Sequence, residues 1–214
     1  DCFKVQSNEY VRNLVKLTVF NGGNISENEL RISFARLNKL EKVQNPTHTE
    51  KDFKSTAELA TKSFLNRNKS LNEEYYYTLF NPSIADFVLG EYCENIDYYV
   101  NIFKSLYTVE SLKHLLALKK ANLISQDDSV KLKNILFEDA LQSSKSFDYL
   151  LFISHQLIND RSKKEKIIDI VNKIIENPSQ ISELSIFISI LSKYYEEINL
   201  DNYDFLLRCI GKQG

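Results

Sequence analysis

Five glycines and three prolines are all that punctuate these 214 residues. Sandwiches and doubly wound α/β folds turn the chain repeatedly at glycine-rich corners, so this scarcity favours helices joined by short polar links. Hydrophobic residues at 43% and charged residues at 26% supply enough apolar surface for a core, which excludes wholesale disorder. The length allows one sizeable core or two small ones.

The formal net charge of −2 makes no electrostatic case for a nucleic acid or an anionic membrane. Cys2, Cys93 and Cys209 lie far apart, form no metal-ligand spacing and are odd in number. They read as reduced thiols of a cytoplasmic protein. No run approaches the ~20 apolar residues of a membrane span, and no basic start leads into an apolar block. The chain opens on Asp1 and contains no methionine, so it is expected to be a segment of a larger protein.

Composition separates two regions, expected as domains at residues 1–93 and 94–214. In the first, Tyr10, Val11, Leu14, Val15, Leu17 and Val19 recur at helical spacing, with Ser7 as the expected N-cap. Asn21-Gly22-Gly23-Asn24 is a stop and turn. Ser26-Glu27-Asn28-Glu29 is a capping box opening a helix that turns Leu30, Phe34, Leu37 and Leu40 inward. Beyond Asn45-Pro46-Thr47-His48, a third helix begins at Thr49 or Asp52 with Phe53, Ala57, Leu59 and Ala60 inward. Ser63-Phe64-Leu65-Asn66-Arg67 and Tyr75-Tyr76-Tyr77-Thr78-Leu79-Phe80 then flank a polar joint and read as a β-hairpin. Three helices followed by a hairpin is the order of a winged helix.

The second region reads as a helical array over 83–92, 96–107, 109–119, 129–143, 147–159, 163–176, 180–195 and 202–210. Caps are expected at Thr108 with Ser111, at Asp127-Asp128-Ser129 and at Asn177-Pro178-Ser179. Paired amphipathic helices with short joints indicate a solenoid-like stack or an irregular bundle, without a repeat consensus. The fold expected is therefore mainly α: a winged-helix-like three-helix unit with a small β-hairpin, followed by an α-helical array.

Between the regions lies Leu79-Phe80-Asn81-Pro82-Ser83-Ile84-Ala85-Asp86-Phe87. Pro82 stops the strand and restricts Asn81. Ser83 and Asp86 stand in the N-cap and third-position relation, and Ile84, Phe87, Val88 and Tyr92 are expected to form the buried face of a new helix. These tasks are structural, not catalytic.

A three-helix unit ending in a strand, then Asn81-Pro82-Ser83 with Asp86-Phe87 opening a helix, resembles a family. It is similar to the region C-terminal to the nucleotide-binding domain in the novel-STAND class of signal-transduction P-loop NTPases. In these bacterial proteins the NTPase core is often fused to an effector domain, with a helical sensor region behind it. The resemblance covers about residues 5–95 and centres on Asn81, Pro82, Ser83, Asp86 and Phe87. It implies a regulatory segment that packs on an upstream nucleotide-binding domain and couples it to sensing of a ligand or protein partner, in a setting of antiviral defence. ATP and Mg would belong only to that upstream domain. This chain has no phosphate-cradling Gly-x-x-x-x-Gly-Lys-Ser/Thr sequence, and no cofactor is expected in it.

His48, His114 and His155 are dispersed, without a second ligand or nucleophile at diagnostic spacing. Glu73-Glu74, Asp127-Asp128 and Glu196-Glu197 flank turns or helix ends, where solvation and the helix dipole account for them. The segment is therefore expected not to be an enzyme. The alternative is a winged-helix nucleic-acid-binding regulator with a helical oligomerisation domain, its candidate contacts being Lys51, Lys54, Lys62, Arg67 and Lys69. Glu50, Asp52, Glu58, Glu73 and Glu74 interleave with those cations. Arg161 and Lys163-Lys164-Glu165-Lys166 form the densest basic cluster, as expected of a solvent-facing helix start. Tyr75-Tyr76-Tyr77 must alternate between the two faces of a strand, so at least one is core. Any exposed tyrosine there, or at Tyr98-Tyr99, would favour a protein interface.

Overall fold

The computed structural model describes residues 8–44, 52–142, 146–176, 184–194 and 198. Expectations falling on Cys2, Ser7, residues 45–51 (Pro46, His48, Thr49, Glu50 and Lys51 among them), the cap at 177–179, the helix at 202–210, Glu196, Glu197 and Cys209 lie outside the described residues. The protein is mainly helical, with a small three-stranded antiparallel sheet.

The first helix, α1 (Glu9–Phe20), is capped by Asn8, one residue after the Ser7 expected for that task, and the Asn8 side chain accepts the Val11 amide at 2.9 Å. That bond satisfies one of the amides a helix start leaves without a partner. Val11, Leu14, Val15, Leu17, Val19 and Phe20 are buried, with Asn13 and Thr18, so α1 runs through the core. It ends at Gly22 and Gly23, both at φ 86°, a conformation costly for a side-chain-bearing residue. Their amides return to the carbonyls of Val19 and Thr18 at 2.9 Å each.

Next comes a strand the sequence reading did not anticipate, β1 (Asn24–Ser26). Three residues are too few to show alternation. The capping box follows as expected: Ser26 Oγ accepts the Glu29 amide at 3.2 Å and donates to its carboxylate at 2.8 Å, opening α2 (Glu27–Gln44). Leu30, Phe34 and Leu37 are buried along α2. Asp52 caps α3 (Phe53–Thr61), accepting the Ser55 amide at 2.8 Å. The buried stripe of α3 is Thr56, Ala57 and Ala60. Leu59, expected inward, is 49% exposed, because helical rotation carries position 59 off the stripe that 56, 57 and 60 define.

The hairpin is β2 (Leu65–Lys69) and β3 (Tyr75–Leu79), antiparallel, from Leu65 opposite Leu79 to Lys69 opposite Tyr75. β1 pairs on the other side of β3, Ile25 facing Tyr77, so the strand order is β1-β3-β2. A helix, a strand, two helices and a hairpin closing on that strand make a winged-helix-like unit. Phe53 links its layers, edge-on to Phe34 at 6.0 Å and to Tyr77 at 6.4 Å between ring centroids.

After the hairpin, α4 (Ser83–Tyr92) departs from expectation in two respects. Asn81, not Ser83, supplies the cap: its Oδ1 accepts the Ser83 amide at 3.0 Å, while Pro82 is already helical and makes no side-chain cap bond. Proline suits a first helical position, having no amide to orphan. Phe87 is 40% exposed, and Val88 is the buried residue of the helix. A short helix lying on α1 buries a narrow stripe, and Phe87 sits at its margin. Phe87→Ala is accordingly expected to cost ~1–2 kcal/mol in urea denaturation rather than the ~3–5 of a buried phenylalanine. A cost of the larger size would show that Phe87 is covered.

The chain divides into two compact units, residues 1–132 and 133–214. The boundary expected at residues 93/94 therefore falls inside the first unit. The reason is α5 (Ile96–Leu106), whose fully buried Tyr99 and Phe103 pack on Phe20 of α1 at 6.2 and 5.4 Å. Arg36 of α2 adds a second tie, donating to the Ser105 carbonyl at 3.3 Å and lying 5.2 Å from the Tyr107 ring centroid. That tie places a cation at the negative end of α5. Thr108 caps α6 (Val109–Lys120) as expected, accepting the Ser111 amide at 3.1 Å. The cap of α7 (Gln126–Gln142) is Ser125, bonded reciprocally with Asp128 at 3.0 and 2.9 Å. It lies one turn earlier than the Asp127-Asp128-Ser129 signal suggested.

Residues 133–214, as far as described, are helical: the end of α7, then α8 (Phe147–Gln156), a 3-10 turn (Arg161–Lys163), α9 (Lys164–Glu176) and α10 (Leu184–Tyr194). Tyr149, Leu151, Ile153, Ile167, Val171, Ile174, Phe187 and Ile190 form their core. Glu138 takes both Lys163 and Lys166 at 2.6 Å, so two cations of the basic cluster are already neutralised. Those two amines hold the Glu138 carboxyl below its usual range.

Candidate functional site

In a winged helix the third helix and the hairpin define the face available to a partner. Here that face is a groove of about 910 Å³ between the first turns of α2, the outer side of α3 and the distal hairpin. Strand alternation builds its wall. Leu65 and Leu79, Arg67 and Tyr77, and Lys69 and Tyr75 are successive opposed pairs on one side of the hairpin. That side grades from fully buried at Leu65, through Tyr77 at 3% exposure, to Tyr75 at 40%. Of the three tyrosines, Tyr77 is thus core, and Tyr75 is presented to the groove.

Arg67 is held from two sides. Its Nε lies 2.5 Å from Glu27 Oε2 and its guanidinium 3.6 Å from the centre of the Tyr75 ring. The hydrogen bond that Arg67 donates to Glu27, foremost, favours the charged form of Arg67. Burial, reinforced by the Glu27 carboxylate, pushes the Tyr77 phenol up to about 12, so it stays neutral. The turn closing the hairpin is tied by Ser70, whose Oγ accepts the Glu74 amide at 3.2 Å and whose amide reaches the Glu74 carbonyl at 2.8 Å. Lys69 is paired with Glu73 at 3.1 Å. Leu71, at the tip, is fully exposed.

The charges around the groove are unequal: Glu27, Glu29, Glu58, Glu73 and Glu74 stand against Arg31, Lys54 and Arg67. Of the candidate nucleic-acid contacts, the structure brings Lys54 and Arg67 to this groove, and Arg67 arrives already paired. Lys62 is at the C-cap of α3, exposed and outside the lining. Lys69 is spent on Glu73, and Lys51 lies outside the described residues. Asn81, Pro82, Ser83, Asp86 and Phe87 are at the start of α4, apart from the groove lining. Phe53 and the carboxylates of Glu27 and Glu29 were missed as groove residues. In the sequence they read only as core and as a capping box, and nothing local signals that α2, α3 and the hairpin meet.

The remaining reactive side chains are scattered. His114 is partly buried on α6, and burial lowers its pKa. His155 Nε2 contacts Ser189 Oγ at 3.2 Å on the exposed surface of α8 and α10. Burial raises the Cys93 thiol to about 11, which holds it in the poorly nucleophilic protonated form. Among the described residues no group of three His, Cys, Asp or Glu side chains is placed to hold a metal, and no helix is long and apolar enough to cross a membrane. No protein-family model, curated protein or solved structure matches the chain.

Proposed function

We propose that this chain is a non-catalytic regulatory and interaction segment, a winged-helix-like unit adapted to bind protein and linked to helices that sense a ligand or partner. The observation that carries this reading is the charge of the groove. Binding a duplex means neutralising phosphates with Lys and Arg, whereas the groove gathers more carboxylates than cations and pairs Arg67 internally. An exposed Tyr75 and an exposed Leu71 at the hairpin tip suit a protein surface better than a phosphate backbone.

The resemblance at residues 81–87 extends the proposal: the segment would couple sensing to an upstream STAND-type nucleotide-binding domain of the same protein, in a defence setting. Coding sequence preceding Asp1 is then expected to contain a phosphate-binding loop, and its absence would overturn that extension. The interaction reading has a separate test. Duplex DNA titrated at about 50 and 200 mM salt should show no strong salt-dependent affinity. Binding that weakens steeply with salt and is lost in Lys54→Ala and Arg67→Ala would establish a nucleic-acid regulator instead.

A further inference from the structure

We propose that the groove between α3 and the hairpin is the docking site for a basic segment of a partner protein, an extended stretch carrying Lys or Arg. This rests on the interaction reading above and names the chemistry of the partner. Three features point the same way. The floor is aromatic, Phe53 and Tyr75 lining it over the nearly covered Tyr77. Cations stack on such rings, and Arg67 over Tyr75 at 3.6 Å shows this surface already holding one.

The second feature is the rim. Glu58 on α3 and Glu74 on the hairpin line the groove, and neither carboxylate has a cation partner among the described residues; with Glu29 they outnumber the two lining cations that have no carboxylate partner there, Arg31 and Lys54. That acidic excess, divided between two walls, favours a cationic chain over a phosphate backbone. The third is the absence of a clustered metal site: the carboxylates are spread along the groove, and no described group of three could hold a metal. Spread charge fits successive side chains of a peptide. The aromatic floor would take the aliphatic stems of Lys or Arg while the walls meet their charged ends.

The test is a selection of a displayed random-sequence peptide library on the intact 214-residue chain, in parallel with its Glu58→Lys/Glu74→Lys variant. Both positions are exposed, so the variant is expected to keep the parent far-UV spectrum. Peptides retained by the parent should be enriched in Lys and Arg. Their affinity, measured by fluorescence anisotropy, should fall at least ~10-fold on the charge-reversed variant, in line with the cost of unfavourable charge juxtaposition. Tyr75→Ala should weaken the same peptides. Enrichment of neutral or acidic peptides, or affinity indifferent to the charge reversal, overturns the assignment of a basic partner while leaving a protein-binding role intact. Salt-sensitive duplex binding lost in Lys54→Ala overturns both.

Discussion

Phe103→Ala is expected to lower the unfolding free energy by ~3–5 kcal/mol, a large part of the 5–15 typical of a domain. Phe103 is fully buried, edge-on to Phe20 at 5.4 Å and to Tyr99 at 6.2 Å. Phe20 ends the helix that threads the winged-helix core, whereas Phe103 belongs to α5, beyond the hairpin and beyond α4. Removing its ring opens a cavity between α1 and α5, and rigid packing lets such a cavity close only in part. Urea denaturation followed by circular dichroism measures the loss. A truncation makes the same point: a fragment ending at Cys93 is expected to lose cooperative unfolding, and one ending at Leu132 to keep it. A cooperative transition in the shorter fragment would mean that the winged-helix-like unit folds without α5.

Thr108→Val is expected to cost ~2–4 kcal/mol, although the side chain keeps its shape. The hydroxyl of Thr108 has two tasks. It accepts the Ser111 amide at 3.1 Å as the cap of α6, and it donates to the Oδ1 of buried Asn21. Asn21 in turn donates to the Asn24 carbonyl at 2.7 Å, holding the bend between α1 and β1. A lost cap typically costs ~1 kcal/mol, and a buried acceptor left without a donor ~1–3 more. Thr108→Ser, which preserves the hydroxyl, should stay within about 1 kcal/mol of the parent. A valine variant as stable as the serine one would show that the bond from Thr108 to Asn21 contributes nothing.

The helices were legible where their determinants are local. Ser26 with Glu29, Asp52 with Ser55 and Thr108 with Ser111 each act within a single turn, so residue type and spacing suffice to place them. The hairpin was legible because the aromatic run at Tyr75-Tyr76-Tyr77 follows a polar joint and Phe64-Leu65 precedes it, although its first strand runs Leu65–Lys69 rather than 63–67. β1 was not legible, because a strand of three residues exists only by pairing with β3, fifty residues on. At 81–87 the residue types correctly announced a helix start. Which side chain would cap it and which would be buried depended on how α4 lies against α1.

Sequence alone determined a mainly helical chain, its breaks, the caps at Ser26, Asp52 and Thr108 and the winged-helix order of its first elements. These follow from propensity and periodicity, which act over a few residues. Tertiary structure alone decided that α5 belongs to the first compact unit, that Phe87 is partly exposed, and that Glu27 neutralises Arg67. It also decided that carboxylates from α2, α3 and the hairpin converge on one aromatic groove. Burial and electrostatic sign depend on which surfaces meet, and the elements that meet here are separated by tens of residues, beyond the reach of any local pattern.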